Sequence, residues 1–330
     1  MDVQAFQSLY QRIRNELGRV VVGHSEVVEG VLLAVLCGGH VLLEGVPGVG
    51  KTLLVKALAR VLSLKFSRIQ FTPDLMPADV VGTNVLVQDP GGRRTLTFQR
   101  GPIFSQIVLA DEINRATPKT QSALLEAMQE YAVTVAGVSY PLERPFFVLA
   151  TQNPIEMEGT YPLPEAQLDR FLFKLRVPFP DAESVVQILE RTTSSELPEA
   201  QPVTDAQTVL RMQALVREVL AAPHVHAYVA RLVEATHPQG PRPARAAKRW
   251  VRYGASPRGA QALLLGAKAR ALVCGRAHAS TEDVRAVALP ALRHRLLLNF
   301  EAEAEGVDVD QLIREVVEEV PEVTVAPAGF

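Results

Sequence analysis

Apolar residues fall in short unbroken runs over the first half of the chain and at helical spacing over the second. His40-Val41-Leu42-Leu43-Glu44, Phe66-Ser67-Arg68-Ile69-Gln70, Ile107-Val108-Leu109-Ala110, Pro145-Phe146-Phe147-Val148-Leu149-Ala150 and Phe171-Leu172-Phe173-Lys174-Leu175 each read as a strand. Consecutive apolar positions over so few residues suit strands buried on both faces. Helical patterns separate them. Leu53, Leu54, Ala57, Leu58, Val61 and Leu62 follow the first strand, and Thr117 (N-cap) and Pro118 open a helix carrying Leu124, Leu125 and Met128. The alternation predicts an α/β fold: a five-stranded parallel sheet with helices on both faces, a three-layer αβα core.

Two hairpins interrupt that layout. One runs from Val85 to Phe98 around Asp89-Pro90-Gly91-Gly92, and the other joins Tyr131–Val135 to Val138–Tyr140 through Ala136-Gly137. Beyond about Pro180 the strand signal stops. Thr204…Gln207 and Ser280…Asp283 read as capping boxes, and Ser256-Pro257 as a further helix start. A last helix opens near Asp308 and shows Val309, Leu312, Ile313, Val316, Val317 and Val320 before Pro321 stops it. The pattern therefore divides the chain into an α/β domain, 1–180, and an all-α domain, 181–330. A polar linker is expected near 192–202 and a mobile tail after Pro321.

Composition narrows the class. The 330 residues suit two domains, and a formal charge of −2 provides no global field to recruit nucleic acid or acidic lipid. Cys37 and Cys274 lie in apolar helical patterns and read as reduced core residues, without disulfide or zinc spacing. The N-terminus has no signal-peptide pattern, and the most apolar stretch, Gly30 to Leu43, is too short to span a bilayer. These features lead us to expect a cytoplasmic protein with no membrane span.

The chemistry begins at Gly45-Val46-Pro47-Gly48-Val49-Gly50-Lys51-Thr52. A glycine, four residues and Gly-Lys-Thr form a phosphate-binding loop, and here it joins a strand to a helix as that motif requires. Small residues let backbone N–H groups curl around a polyphosphate. Lys51 can reach the outer phosphates, and the Thr52 hydroxyl can ligate Mg²⁺. Asp111-Glu112 ends the central apolar run, so Asp111 can hold Mg²⁺ through water opposite Thr52. Glu112 points differently and can polarise a water for attack on the γ-phosphate. Asn153 ends the next strand, where its amide can bond both water and γ-phosphate.

Two arginines extend the set. Arg170 precedes the last strand and projects at the sheet's end, which suits an arginine finger reaching a neighbour's γ-phosphate; the bland alternative is an ion pair with Asp169 or Glu165. Arg258 sits in a first helical turn, an unfavourable place for a cation unless an anion lies there. It would bring the helical domain's charge onto the phosphates.

Leu109 to Glu130 resembles, almost throughout, the signature of the MoxR family of AAA+ ATPases. So do Phe71-Thr72-Pro73-Asp74-Leu75-Met76-Pro77-Ala78-Asp79, Ala150-Thr151-Gln152-Asn153-Pro154, Glu165-Ala166-Gln167-Leu168-Asp169-Arg170-Phe171 and Gly254-Ala255-Ser256-Pro257-Arg258. The resemblance is dense from Val21 to Phe179 and thinner in the helical part. It implies a helical AAA+ lid, Mg²⁺-dependent ATP hydrolysis and a homo-oligomer, a hexameric ring. In family terms Asn153 resembles sensor 1, Arg170 the finger and Arg258 sensor 2, while Val22-Gly23 resembles the segment lining the adenine pocket. The hairpins resemble the helix-2 and pre-sensor-1 inserts. Chaperone-like remodelling or metal-loading of a client protein is implied, often with a von Willebrand factor A-domain partner.

Other signals carry less. Asp89-Pro90-Gly91-Gly92 fits a GTPase pattern, but no asparagine precedes a lysine, so it reads as a turn. His224 and His226 lack a third ligand nearby. The basic run Arg242, Arg245, Lys248, Arg249 and Arg252, interleaved with Trp250 and Tyr253, fits a solvated face, a neighbour or nucleotide contact, or nucleic acid. Arg93-Arg94 fit a solvated turn or a contact in a ring's pore. Three alternatives stand beside the remodelling ATPase: a nucleic-acid motor related to replicative helicases, a chelatase-type motor subunit, and a nucleotide-gated scaffold with slow hydrolysis.

Overall fold

The computed structural model describes residues 1–88, 94–154, 159–193 and 198–322. The expected turn at Asp89–Gly92, Arg93, part of the linker and most of the tail after Pro321 lie outside the described residues.

Among the described residues, nine strands carry the first half: β1 (Val41–Glu44), β2 (Phe66–Gln70), β3 (Gly82–Gln88), β4 (Arg94–Arg100), β5 (Ile107–Asp111), β6 (Ala132–Val135), β7 (Val138–Pro141), β8 (Phe147–Gln152) and β9 (Phe173–Arg176). Five of them form one parallel sheet in the order β2-β5-β8-β1-β9, with Val41 opposite Leu149 on one side and Phe173 on the other. β3–β4 and β6–β7 are the two antiparallel hairpins. In the second, Ala136 and Gly137 both take positive φ, 50° and 79°, the geometry of a tight hairpin turn. The hairpins meet through Phe98 and Tyr140, whose rings stack 4.2 Å apart.

Helices cover both faces: α1 (Val3–Val20), α2 (Ser25–Cys37), α3 (Lys51–Val61), α4 (Pro77–Val81), α5 (Pro118–Glu130) and α6 (Glu165–Leu168). The strand pleat sorts the core into two clusters. Val41, Leu43, Ile107, Leu109, Phe147, Leu149, Phe173 and Leu175 face one side, with α1, α2 and α3. Leu42, Ile69, Val108, Ala110, Val148 and Ala150 face the other, with Leu124, Leu125 and Met128 of α5.

The second half is α7 (Ala182–Thr192), α8 (Ala206–Glu218), α9 (Pro223–Ala235), α10 (Arg245–Trp250), α11 (Pro257–Val273), α12 (Thr281–Ala286), α13 (Ala288–Leu292), α14 (Phe300–Ala304) and α15 (Val309–Glu319). Two short strand pairs, Leu220–Ala221 with His278–Ala279 and Val251–Tyr253 with Leu297–Leu298, pin these helices together. Its core is continuous with the first sheet face, because α11 packs between α2 and α9. Gly266 allows this closeness: a Cβ there would come within 2.8 Å of the Phe173 ring.

Two local expectations change. The cap of α8 is Asp205, which accepts from Thr208 N at 2.7 Å, and Thr204 instead donates its N–H to the Val61 carbonyl. Cys274 is exposed rather than core, because α11 ends at Val273 and the chain turns outward at Gly275; Cys37 is buried. The Ser280…Asp283 box forms as expected, with Asp283 also taking Arg270 and Arg276 at 2.6 Å each.

Asp283 gives a stability test. Burial opposes its charge, but hydrogen bonds from Arg276, Ser280 and Arg270 outweigh that and hold the carboxyl at about 2, below the ordinary 3.8. A depressed carboxylate stabilises the fold fully above pH 3.8, and this contribution is lost as pH falls towards 2. Asp283→Asn should cost about 3 kcal/mol or more, the scale of breaking a buried pair. In denaturant titrations the gap from the parent should hold steady at neutral pH and narrow below about pH 4. Equal stability at pH 7 would contradict this account.

Candidate active site

Strand direction decides what can meet. The C-terminal ends of β1, β5 and β8 lie side by side, and Gly45–Thr52, Asp111–Glu112 and Asn153 leave from those ends. A cleft of about 320 Å³ is lined there by Pro47, Gly48, Gly50, Lys51, Thr52, Leu53, Arg68, Asp111, Glu112 and Asn153. Gly45 must be glycine because a Cβ would sit 2.6 Å from the Val177 carbonyl, and Gly50 because its φ of +85° starts α3. The first turn of α3 therefore opens on the cleft with its N–H groups free for an anion.

Lys51 is half-buried, and its ammonium donates to the Gly45 carbonyl and, at 3.2 Å, to the Val46 carbonyl. Burial pushes its pKa down, while the Asp111 and Glu112 carboxylates pull it back up. Asp111 accepts from Thr151 Oγ1 at 2.7 Å and from Arg68 Nε and Nη2 at 3.0 and 2.6 Å. Glu112 takes a left-handed φ of 55°, which turns the chain out of the strand and lets adjacent carboxylates line one cleft. Its carboxylate accepts from Gln70 Nε2 at 2.9 Å and Arg115 Nη1 at 3.0 Å, and its N–H donates to Thr151 Oγ1 at 2.8 Å. Thr52 and Asp111 offer hard oxygen donors, and no group of three or more His, Cys, Asp or Glu gathers among the described residues. Such a donor set fits Mg²⁺ completed by phosphate and water oxygens.

Val22 and Gly23 adjoin the loop without lining the cleft. The next residue, His24, is buried and its Nε2 lies 2.9 Å from the Val49 carbonyl, which ties that segment to the loop. Gly23 abuts Ser184 of α7.

Arg170 and Arg258 are elsewhere. Both line a second cleft of about 330 Å³, with Gly38, Gly39 and His40, which precede β1. That is the N-terminal end of the sheet. Five steps of extended chain lead from His40 to Gly45, about 16 Å at 3.3 Å each. Arg258, which the sequence leaves open to act on its own chain's phosphates or a neighbour's, thus stands away from the phosphate loop of its own chain, because α11 docks beside β9 at the opposite end. Arg170 pairs with neither Asp169 nor Glu165. Its Nη1 donates to the Leu125 carbonyl at 2.7 Å, and its Nε is buried without a partner among the described residues. The basic run Arg242–Arg252 lies on the surface and lines neither cleft.

Arg68, Gln70, Arg115, Thr151, His24, Arg217 and Arg295 carry no local sequence signal for the site. All lie outside the loop and acid-pair motifs, and strand pairing is what brings Arg68 and Gln70 beside Asp111.

The phosphate loop and the acid pair, set at the strand ends of this sheet and followed by a helical lid, define a P-loop ATPase of the AAA+ class. Residues 40–173 match the ATPase family associated with various cellular activities (AAA), and residues 243–316 match the AAA lid domain. Over 318 residues the chain is 45% identical to Chaperone MoxR1 of Mycobacterium tuberculosis, spanning 94% of this chain and 82% of that one. It is 44% identical to the uncharacterized protein YeaC of Bacillus subtilis, over 92% of each. A crystal structure of a Cytophaga hutchinsonii protein assigned as an ATPase superposes with a TM-score of 0.88 at 40% identity, over 97% of this chain and 96% of that one. The chain belongs to the MoxR family of AAA+ ATPases. No helix among the described residues is long and apolar enough to cross a membrane.

Among the described residues, Lys51 is the one lysine lining the nucleotide cleft. Lys51→Ala should weaken ATP binding about tenfold or more, the scale of a charge-assisted hydrogen bond. Titration with a fluorescent ATP analogue measures this, and an unchanged affinity would remove Lys51 from the phosphate site.

Proposed function

We propose that the protein couples Mg²⁺-dependent ATP hydrolysis to remodelling of a client protein, in a homo-oligomeric ring whose active sites each draw on two chains. One observation carries the reading: Arg170 and Arg258 share a cleft at the far end of the sheet from the phosphate loop. A neighbour turned head-to-tail would present that end to the nucleotide, and repeating the contact closes a ring. We take a hexamer as the ring size.

In this scheme the N–H groups of Gly48–Thr52 and the Lys51 ammonium hold the polyphosphate. Thr52 and Asp111 would hold the metal, which when bound would supply charge neutralisation on the phosphate oxygens. Glu112 orients the attacking water and takes its proton, and Asn153 hydrogen-bonds water and γ-phosphate. Arg170 and Arg258 of the neighbouring copy stabilise charge on the transferring group, so both act in trans. Val22 and Gly23 border the base. The remodelling role follows the name of the relative Chaperone MoxR1, and maturation or metal-loading of the client with a von Willebrand factor A-domain partner follows the family resemblance. We place the protein in the cytoplasm.

A nucleic-acid motor has one observation in its favour. Arg249 lies over the Trp250 ring at 4.1 Å and Arg252 over Tyr253 at 5.4 Å on the exposed basic run. Binding to single-stranded DNA that weakens steeply with salt would support that reading.

Glu112→Gln should keep ATP affinity and lose about 10²-fold or more in turnover. An equal loss of binding would contradict its role as base. Arg170→Ala should bind ATP normally and hydrolyse about 10³-fold more slowly. Mixing these two variants creates interfaces with both groups intact, so activity should partly return. No recovery in mixtures shown to co-assemble would exclude a trans-acting Arg170.

A further inference from the structure

The cleft at the N-terminal end of the sheet is lined by Arg170, Arg217, Arg258 and Arg295 and by one carboxylate, Asp169. That carboxylate bridges two elements distant in sequence. Its Oδ1 accepts from Arg295 Nε at 2.7 Å, and its Oδ2 accepts from Ser256 Oγ at 2.8 Å. Arg295 is 3% exposed and grips the turn before β9: it also donates to the carbonyls of Asp169 at 3.1 Å, Phe171 at 2.7 Å and Leu172 at 3.1 Å. Ser256 is the N-cap of α11, and its Oγ accepts from Arg258 N at 3.1 Å. Asp169 therefore adjoins Arg170 in the chain and, through one hydroxyl, fixes the turn that carries Arg258.

We infer that Asp169 is a positioning residue that locks Arg170 and Arg258 into one unit, so that both reach the same nucleotide of a neighbouring copy together. The inference rests on the proposed trans roles of those two arginines. Each arginine stands on a different element, the turn before β9 and the first turn of α11, and a guanidinium needs its distance to the phosphate set closely to act. The ion pair with Arg295 fixes one element, and the Ser256 bond fixes the other to it. Charge works the same way. Burial pushes the Arg295 guanidinium below its ordinary range, Asp169 opposes this, and the nearby Arg258 charge adds to the strain. Without the carboxylate, the Arg295 charge would face the Arg258 charge uncompensated.

The test compares Asp169→Asn and Ser256→Ala in the parent and in Arg258→Ala, using ATP turnover and ATP affinity of assembled protein. Asp169→Asn should lower kcat about tenfold to a hundredfold while ATP affinity stays at the parental value. In the Arg258→Ala background it should cost clearly less, because the partner it positions is gone. Ser256→Ala keeps Arg295 neutralised, should lower kcat by a smaller factor, and should have no further effect once Arg258 is removed. If Asp169→Asn fails to fold, the Ser256→Ala pair decides alone. Full, additive losses in both backgrounds, or parental kcat in folded variants, would overturn the inference. If Arg170→Ala and Arg258→Ala themselves turn over ATP normally, the trans reading is lost and the inference with it. If those two lose turnover and the Asp169 and Ser256 variants do not, only the inference fails.

Discussion

Five parallel strands give the sheet two chemically different ends, and that polarity separates the phosphate loop, the acid pair and Asn153 from Arg170 and Arg258. At the C-terminal ends the chain leaves the strands as the phosphate loop, the acid pair and Asn153. At the N-terminal end, before β1 and β9, stand the arginines. β1 is four residues long, yet a rigid strand of that length is enough to keep the two groups apart. An arginine side chain cannot cross the sheet, because its layers are filled by two apolar clusters. The proposed two-chain active site is thus a consequence of sheet geometry before it is a matter of catalytic chemistry.

The helical half matters because it is not hung on a hinge at the sheet's edge. α11 enters the core shared with α1, α2 and one face of the sheet, where Gly266 lets it approach Phe173. Arg293 extends the contact, donating to the Lys174 carbonyl at 2.7 Å and pairing with Asp310 at 2.8 Å. Arg176 pairs with Asp308 at 3.0 Å from the strand side. These bonds, buried at Arg293–Asp310 and exposed at Arg176–Asp308, tie β9 to α15 beside the strand that carries the phosphate loop. Glu44, the residue before Gly45, pairs with Lys174 and joins the same charge network through Arg176 at 3.9 Å.

Much of this was legible in the chain because the signals are local. Unbroken apolar runs mark the sheet strands, the Gly-Lys-Thr loop sits between strand and helix, and Ser280…Asp283 and Ser256-Pro257 set caps that the structure shows. Chain order alone says little about which elements pack together. Arg258 was read as a cation needing an anion, which fits its first-turn position, but only tertiary docking puts it beside Arg170. The acceptor of Arg170, the Leu125 carbonyl, and the partners of Asp169 lie 45 or more residues away in sequence. The cap of α8 falls one residue later than the pattern suggests, on Asp205, while the Thr204 N–H is bonded to the Val61 carbonyl. α1 lies outside the motifs, although Phe6, Tyr10, Ile13, Leu17 and Val20 mark a helical stripe.

The central claim is that one chain carries two half-sites and no complete one. Specific ATPase activity measured across protein concentration, with oligomeric state followed by mass photometry, tests it most directly. Activity per chain should rise with the assembled fraction and be nearly absent in monomers, although monomers still bind ATP. Constant activity per chain down to fully monomeric protein would contradict the claim.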